Sequence, residues 1–482
     1  MNKQTFITTF LLFTLALTSC TTLRSAGTDD GPPAHSSYSF LGGSKPTTVV
    51  SVNDESLWQS SPEVIWYNLQ HTSVAGLEKA QASAPDAKAA GWLSLAIISK
   101  KDSANTPVLV QELLAWRAAH PNHPGNELIP SDESLQKLLA ASSPKQIAVL
   151  LPLHGPQAAS GRIVRAGFLG AYYDSLGKSA KKQSVTFYDT SQNADISTLY
   201  QKAVADGANI VVGPLLKPEV DSLNHYNRFE VPVIALNYTK PGYFSSNPAN
   251  FYEFGLSPVY EAKQMTNKAW SGGLKQALVI APDDAWGHRV GEAATANWQS
   301  LGGTVSDSLY FNKQTNLTHV IASLLHVNPK ADRALMREEN KKSVLSEQRR
   351  QDFDVIFLFA QPNMARQIVP LLRFYYANNV PIYSISTIYS GRPNPSKDRD
   401  LDGVTFPVTP WVKRMAGASS SNPNLHDNLY AIGRDAYLLS QALPRLSLLP
   451  NFPVYGSTGA LSLNQQRIHQ RLPWVKMHGG TI

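Results

Sequence analysis

Short apolar runs alternate with amphipathic segments through the larger, C-terminal part of the chain. The runs are rich in Val, Ile and Leu, which is typical of parallel strands covered on both faces. We predict strands over residues 146–153, 184–189, 209–213, 231–237, 276–281, 305–311, 353–360 and 381–386. So many strands over roughly 330 residues exceed one doubly wound sheet, and the pattern therefore favours two α/β lobes around a cleft.

The N-terminal part of the chain has a helical period instead. Between Asn53 and about Ala141, apolar positions recur at core spacing without a strand signal, which predicts three to five short helices. Pro62 follows Ser61 as an N1 proline follows an N-cap. We therefore expect residues 53–143 to form a small all-α domain of helical hairpins, and residues 144–482 to form the two-lobed domain.

The first nineteen residues have the pattern of a signal peptide. Lys3 precedes an apolar stretch that is too short to cross a bilayer core of roughly 30 Å. The stretch ends in a segment, residues 17–20, that resembles the bacterial lipobox, and its last residue, Cys20, is the only cysteine among 482 residues. Acylation of Cys20 is therefore predicted; the alternative is a free thiol behind an ordinary signal peptide. A single cysteine also excludes internal disulfides.

Residues 20–52 are rich in Ser, Thr, Gly and Pro without apolar periodicity, which predicts a flexible tether behind the acylated cysteine. The lipobox resemblance implies several acyl chains, and several chains give stable anchoring where one does not. Thr21 stands where inner-membrane lipoproteins tend to carry Asp. By resemblance, the anchor is expected in the outer membrane, with the protein on its periplasmic face.

Composition adds little to this picture. The chain is 43% hydrophobic and 16% charged, as globular proteins are, and its formal net charge of +7 loses one positive charge with the signal peptide. A mildly basic surface suits an acidic partner, anionic lipid or peptidoglycan. No cluster of Lys and Arg with interleaved aromatic residues indicates nucleic acid.

Several segments resemble known families. Residues 147–153, followed by Gly155 and Gly161, resemble the opening of type I periplasmic binding proteins, and two further segments match later strands of that fold, residues 211–215 and 231–237. Other segments resemble the LpoA family: residues 91–96, 114–116, 121–124, 254–258, 298–304, 390–406 and 456–463.

The LpoA resemblance covers about residues 90–482. It implies an outer-membrane lipoprotein that activates bifunctional class A penicillin-binding proteins, with a tetratricopeptide-like helical domain before a domain of the periplasmic-binding-protein fold. The chain departs from the family in one respect. Its helical part has roughly ninety residues, about half of the usual length.

No motif of a known catalytic class is present, and we expect neither enzymatic activity nor a cofactor. The closest histidine pair, His120 and His123, lies beside prolines, which favours a helix-ending loop over a metal site. Asp283 and Asp284 follow a predicted strand and precede a helix. Capping of that helix is the favoured interpretation, and acid–base chemistry is the alternative.

The loop at residues 154–161 is the best candidate contact for a small ligand. Gly155 lets the backbone approach closely, and Ser160 has a hydroxyl that can meet a carboxylate. In solute receptors of this fold the equivalent loop binds the ligand, and by that resemblance Asn237 and Asp283 would face the cleft. The LpoA resemblance implies no established ligand there, which favours a structural turn and a vestigial cleft.

Three functions follow as hypotheses. The first is the activator of a peptidoglycan synthase, which has both the lipobox and the family segments in its favour. The second is a lipid-anchored solute receptor for an amino acid or short peptide, which the fold supports in general. The third is a cell-wall hydrolase, which the lack of a catalytic motif disfavours.

Overall fold

The computed structural model describes residues 50–101, 105–176, 183–192, 195–239, 248–328, 349–417 and 427–482. All of them belong to one compact unit, Ser39–Ile482. The predicted signal peptide, Cys20 and most of the predicted tether lie outside the described residues.

The N-terminal part is helical, as predicted. Its helices are α1 (Pro62–His71), α2 (Val74–Gln81), α3 (Ala87–Lys101), α4 (Thr106–Ala119) and α5 (Asp132–Ala140), with 3₁₀ turns at Glu55–Gln59 and Pro124–Leu128. Polar side chains cap several helices: the Ser73 hydroxyl accepts from Gly76 N, and Asn105 accepts from Val108 N. Capping by these short side chains explains where α2 and α4 begin.

The folded part begins earlier than the tether prediction allows. Val50 and Val52, which the sequence placed in the tether, pack against the helical core. The Val50 amide also donates to Asn68 Oδ1 over 2.6 Å. Burial of these two valine side chains against an existing apolar core favours ordering of the segment, although the neighbouring residues are mostly polar. The boundary near residue 143 stays a prediction.

Lobe 1 is built on an eight-stranded sheet with the order β11-β12-β13-β5-β4-β3-β1-β2. Its strands are β1 (Gln146–Leu151), β2 (Ser184–Asp189), β3 (Ile210–Val212), β4 (Arg228–Ala235), β5 (Ala249–Phe254), β11 (Val454–Tyr455), β12 (Ala460–Asn464) and β13 (Arg467–Arg471). Strands β1 to β5 pair in parallel, and β13 joins them in parallel beside β5. Apolar clusters cover both faces of this sheet.

Lobe 2 has a six-stranded sheet with the order β14-β10-β9-β8-β6-β7. Its strands are β6 (Gln276–Pro282), β7 (Thr304–Phe311), β8 (Val355–Leu358), β9 (Ile382–Ser384), β10 (Thr405–Pro407) and β14 (Trp474–Lys476). All pairs are parallel except β10 with β14. Trp298 is buried and Trp270 and Trp286 pack against the same cluster in this lobe.

Helices cover the two sheets and join the lobes. They are α6 (Ala158–Leu176), α7 (Ile196–Ala205), α8 (Lys217–Asp221), α9 (Pro258–Ser271), α10 (Ala285–Ser300), α11 (Leu317–Leu324), α12 (Pro362–Phe374), α13 (Pro395–Asp398), α14 (Pro410–Ala416) and α15 (Asn428–Leu448). Short 3₁₀ turns lie at Ser222–His225, Ser386–Ile388 and Arg399–Leu401. The chain returns to lobe 1 through α15, which packs on α6.

All eight predicted strands are present, and their ends differ from the predicted ends by at most three residues. Of the strands in the described residues, the sequence missed six: β5 and β10 to β14. Most of these strands are short or contain polar residues, and most lie near a sheet edge or pair through only a few residues. The alternation of apolar and polar residues along them is therefore too weak to detect in the sequence. The two-lobed α/β architecture behind a helical segment is confirmed.

The helical part and lobe 1 share a core. Leu449 and Phe452, which follow α15, are fully buried in the helical cluster, and the Phe452 ring lies 5.4 Å from the Trp66 ring. The Trp66 indole also donates to the Asn451 carbonyl over 3.0 Å. The helical segment is therefore packed against lobe 1 through a continuous apolar contact.

Candidate functional site

The loop after β1 lies at the carboxyl ends of the parallel strands of lobe 1, where ligands of open α/β sheets bind. Gly155 has a φ of +69° with nothing within 4 Å of the position of a Cβ atom, so it is a turn glycine facing open space. A Cβ on Gly161 would lie 1.9 Å from the Pro152 carbonyl oxygen. The start of α6 is therefore pressed against the end of β1.

Asp189, the last residue of β2, organises this loop. Its carboxylate accepts hydrogen bonds from the Leu153 amide, the amide and hydroxyl of Ser191, and the His154 Nδ1–H. Burial opposes ionisation, but these hydrogen bonds together lower the pKa of the Asp189 carboxyl group below its ordinary value. Asp189 was not among the predicted site residues, although a carboxylate at the carboxyl end of a predicted strand is a usable signal.

The other lobe 1 candidates have different surroundings. Ser160 lies in the first turn of α6 and is half-buried. Asn237 follows β4, and its carboxamide is engaged with the backbone: Nδ2 donates to the Leu215 carbonyl over 3.1 Å, and Oδ1 accepts from the Tyr238 amide over 2.9 Å. Asn237 therefore fixes the loop around it and has little hydrogen-bonding capacity left for a ligand.

Asp283 lies at the end of β6 in lobe 2 and is exposed. Its Oδ1 accepts from His288 Nε2 over 2.9 Å, and the His288 ring stacks on Tyr310 with centroids 4.1 Å apart. Asp284 caps α10 by accepting from the Gly287 amide over 2.7 Å. The capping interpretation is confirmed for Asp284, whereas Asp283 accepts a hydrogen bond from the His288 ring instead.

The four candidate cleft residues do not form one cluster. Gly155 and Ser160 belong to the same loop and helix start, while Asn237 lies two strands away in the same sheet. No hydrogen bond or ion pair within the described ranges joins Asp283 to any of them. Ligand binding by these residues stays a prediction.

The histidine pair is part of the helical core's polar rim. His123 Nδ1 accepts from the Gly125 amide over 2.9 Å, so its Nε2–H donates to the Lys88 carbonyl over 2.8 Å. The His120 ring stacks on Trp116 with centroids 4.7 Å apart. Among the residues that the structure describes, no group of three or more His, Cys, Asp or Glu side chains is placed to hold a metal ion.

A buried carboxylate explains the motif at residues 456–463. Asp435 of α15 accepts from the Ser457 amide, the Thr458 amide and the Thr458 hydroxyl, each over 2.6 Å. Burial raises the pKa of Asp435 to about 6, although these hydrogen bonds act in the opposite direction. The Ser457 carbonyl in turn accepts from the Trp411 amide of α14. The motif therefore connects the helix that returns to lobe 1 with the segment that leaves lobe 2.

Residues 49–480 match the family model described as "LppC putative lipoprotein". The chain belongs to the LppC family. The match includes the whole helical segment as well as both lobes. Within the described part of this LppC chain, no helix combines the length and the apolarity that crossing a bilayer requires.

Relatives of this LppC chain have a common name, and the LpoA resemblance is thereby confirmed. It is 26% identical over 430 residues to "Penicillin-binding protein activator LpoA" of Photobacterium profundum, a match that covers 87% of the chain and 69% of the relative. It is 28% identical over 436 residues to the protein of that name from Glaesserella parasuis, covering 88% and 69%.

Solved structures agree with this assignment. Full-length LpoA from Haemophilus influenzae matches with a TM-score of 0.56 and 25% identity, covering 89% of this LppC chain and 74% of that chain. A "putative branched-chain amino acid ABC transporter" from Chromobacterium violaceum matches with a TM-score of 0.52 and 23% identity, covering 69% and 99%. The second likeness shows the fold alone.

Proposed function

We propose that this chain is a periplasmic lipoprotein that binds a bifunctional class A penicillin-binding protein and stimulates its transpeptidase activity. The observation that carries the proposal is the extent of the family match. A match of 430 residues is longer than the two-lobed part, so it includes helical residues that solute receptors of this fold lack. The relatives that share both parts have the name of penicillin-binding protein activators.

Activation fits a protein that binds one conformation of its partner better than another. A protein that prefers the active conformation of the synthase raises the active population without taking part in the chemistry. The chain itself is accordingly proposed to be no enzyme. Purified peptidoglycan incubated with the chain alone is expected to show no turnover.

The decisive experiment is a pull-down of the full chain, in detergent micelles, with the class A penicillin-binding proteins of its host. A parallel assay measures peptide cross-links in the synthase product. Saturable binding with faster cross-linking supports the proposal, and a solute receptor of the same fold is the matched control protein. Absence of both binding and stimulation would refute it.

We further propose that Cys20 is acylated and holds the protein on the periplasmic face of the outer membrane. Cys20 lies outside the described residues, and its position in a lipobox-like segment supports this assignment. The Cys20→Ser variant is expected to leave the membrane fraction and to lose labelling by radioactive palmitate. Retention of the variant in outer-membrane vesicles would contradict the proposal. Contact with peptidoglycan is also proposed, and co-sedimentation with purified sacculi tests it.

A further inference from the structure

A second polar surface lies where the helical segment meets the two lobes, at the β11–β13 end of the lobe 1 sheet and four strands away from β1 and its loop. Residues from five elements contribute to it: α1, α3, α9, β11 and β13. We call it the junction groove, and define it by Tyr67, His71, Lys100, Tyr260, Tyr455 and Arg471.

Hydrogen bonds connect the two basic side chains of the groove through α1. Lys100 Nζ donates to the Gln70 carbonyl over 3.0 Å and lies 5.2 Å from the centre of the Tyr455 ring. The Tyr455 hydroxyl donates to Gln70 Oε1 over 2.8 Å and also hydrogen-bonds Arg471. The ammonium and guanidinium groups are therefore held on either side of one tyrosine.

Positive charge is crowded in the groove. Burial, together with the charges of Arg471, Lys100 and Lys268, lowers the pKa of His71 to about 3. The same burial, with the charge of Arg471, lowers the pKa of Lys100 to about 7. The positive charges of the groove therefore repel one another.

No acidic side chain in the described part of the chain offsets these charges. Within the described ranges, no aspartate or glutamate forms an ion pair with Lys100 or Arg471. The hydroxyls of Tyr67 and Tyr260 have no hydrogen-bond partner in the same part of the chain, although both rings are half-buried. Uncompensated cations beside free hydroxyl donors are the groups that bind an anion with several oxygens.

We propose that the junction groove binds a carboxylate-rich peptide segment, with Arg471 as the principal contact. A planar guanidinium matches a carboxylate through two parallel hydrogen bonds. A peptide is favoured over an acidic glycan because sugars bind by stacking on free aromatic faces. Here each ring already has a tilted histidine ring against it: Tyr67 contacts His71 with centroids 4.1 Å apart, and Tyr260 contacts His469 with centroids 4.8 Å apart. This proposal is independent of the synthase.

Titration calorimetry of the full chain in detergent micelles tests it. The probes are N-acetyl-tetraglutamate amide, its tetraglutamine counterpart and tetragalacturonate. Tetraglutamate is expected to bind in a salt-sensitive manner, and tetraglutamine is expected not to bind. Equal binding of the two peptides would overturn the proposal. Binding of tetragalacturonate without tetraglutamate would overturn the peptide assignment and indicate a glycan site.

Variants assign the contact. Arg471→Gln is expected to weaken tetraglutamate binding by about tenfold or more, and Arg471→Lys by less, because it keeps the charge but loses the planar fork. Arg289→Gln, at an exposed arginine of α10, is the matched control and should leave binding unchanged. Thermal unfolding checks that each variant is folded. Full affinity in folded Arg471→Gln would exclude this groove as the site.

The pH dependence separates a binding role from a structural one. A bound carboxylate favours the charged form of Lys100, and the facing groups are His71, Tyr67, Tyr260, Tyr455, Lys268 and Arg471. Affinity is therefore expected to rise by about tenfold from pH 8 to pH 6. Lys100→Met should flatten this profile. An unchanged profile in that variant would show that Lys100 does not face the ligand.

Discussion

The cleft edge of lobe 1 and the junction groove both collect polar side chains, but they differ in how those side chains are satisfied. At the cleft edge, Asp189 accepts four hydrogen bonds. Both the nitrogen and the oxygen of the Asn237 carboxamide form hydrogen bonds with the backbone. In the groove, two cations lack acidic partners and two hydroxyls lack hydrogen-bond partners among the described residues. The loops after β1 and β4 are thus held by their own hydrogen-bond network, whereas the cations without acidic partners lie at the β11–β13 end of the sheet.

This difference has a physical consequence for stability and function. Polar groups that satisfy one another contribute to folding, and removing one leaves its partners buried and unpaired. Groups held without partners oppose folding slightly and gain their interactions only when a ligand binds. Substitutions at the cleft edge should therefore destabilise the protein, and substitutions in the groove should not.

The largest effect is expected for Gly161→Ala at the cleft edge. The new Cβ would lie 1.9 Å from the Pro152 carbonyl oxygen, so α6 must move away from β1. We expect a loss of about 3 kcal/mol in the free energy of unfolding, measured by urea denaturation. Gly155→Ala is the control, since its Cβ meets nothing and only the left-handed φ costs about 1 kcal/mol. Similar losses in both variants would show that this edge is not tightly packed.

Asp189→Asn should come next. The substitution removes charge-assisted hydrogen bonds from a carboxylate whose side chain is 17% exposed, and we expect a loss of about 2 kcal/mol at pH 7. Because the folded state lowers the pKa of Asp189, its contribution is present above the ordinary value of 3.8 and is lost as the pH falls below it. The variant and the parent should thus converge in acid.

The control for this prediction is Asp283→Asn in lobe 2. That carboxylate also pairs with a histidine, but 49% of its side chain is exposed, so the expected loss is below about 0.5 kcal/mol. Equal losses at the two aspartates would remove the distinction between a carboxylate with several hydrogen bonds and a carboxylate with one exposed hydrogen bond to a histidine.

Lys100→Met in the junction groove should have a smaller effect of opposite sign. The folded state lowers the pKa of Lys100 from 10.5 to about 7, so the folded protein binds fewer protons than the unfolded chain between these values. The free energy of unfolding of the parent therefore increases as the pH rises through this range. The destabilisation caused by a charged Lys100 is greatest below pH 7. Without ligand, we expect the free energy of unfolding of the variant to be higher by about 1 kcal/mol at pH 6. The expected gain is small because the Lys100 side chain is partly exposed to solvent, which weakens the effect of burial on its charge.

The test is chemical denaturation of parent and variant at pH 6 and pH 10. The advantage of Lys100→Met should shrink at the higher pH, where the parent's amine is neutral in the folded state. Lys313→Met, at an exposed lysine of lobe 2, should show no such trend. A destabilised Lys100→Met at both pH values would indicate that the hydrogen bond to the Gln70 carbonyl outweighs the desolvation of the charge.

Sequence patterns predict the central strands well and the groove not at all. Parallel strands such as β1 are continuous apolar runs because both of their faces are buried. Such runs can be recognised in the amino-acid sequence alone. Arg471 and Lys100 meet only because the last strands of the chain return to lobe 1 beside α3. The strands that bring them back, such as β11 and β13, are too short or too polar to predict. Asp189 was detectable by its position, but its four donors were not.

The smallest effect is expected at the cleft itself, in a thermal-shift screen with the common amino acids and short peptides. A ligand that binds only the folded state raises the unfolding temperature in proportion to ln(1 + [L]/Kd). Asn237 and Asp189 already form hydrogen bonds within the protein, so a ligand would have to replace those bonds in order to bind. We therefore expect the unfolding temperature to rise by less than about 1 °C at millimolar ligand concentration. A shift of several degrees that survives Arg471→Gln but is lost in Ser160→Val would place a ligand in the cleft. That result would favour the solute-receptor hypothesis. It would also show that the hydrogen-bonded residues of the cleft edge exchange their bonds within the protein for bonds to a ligand, which is the opposite of the difference between the two regions proposed above.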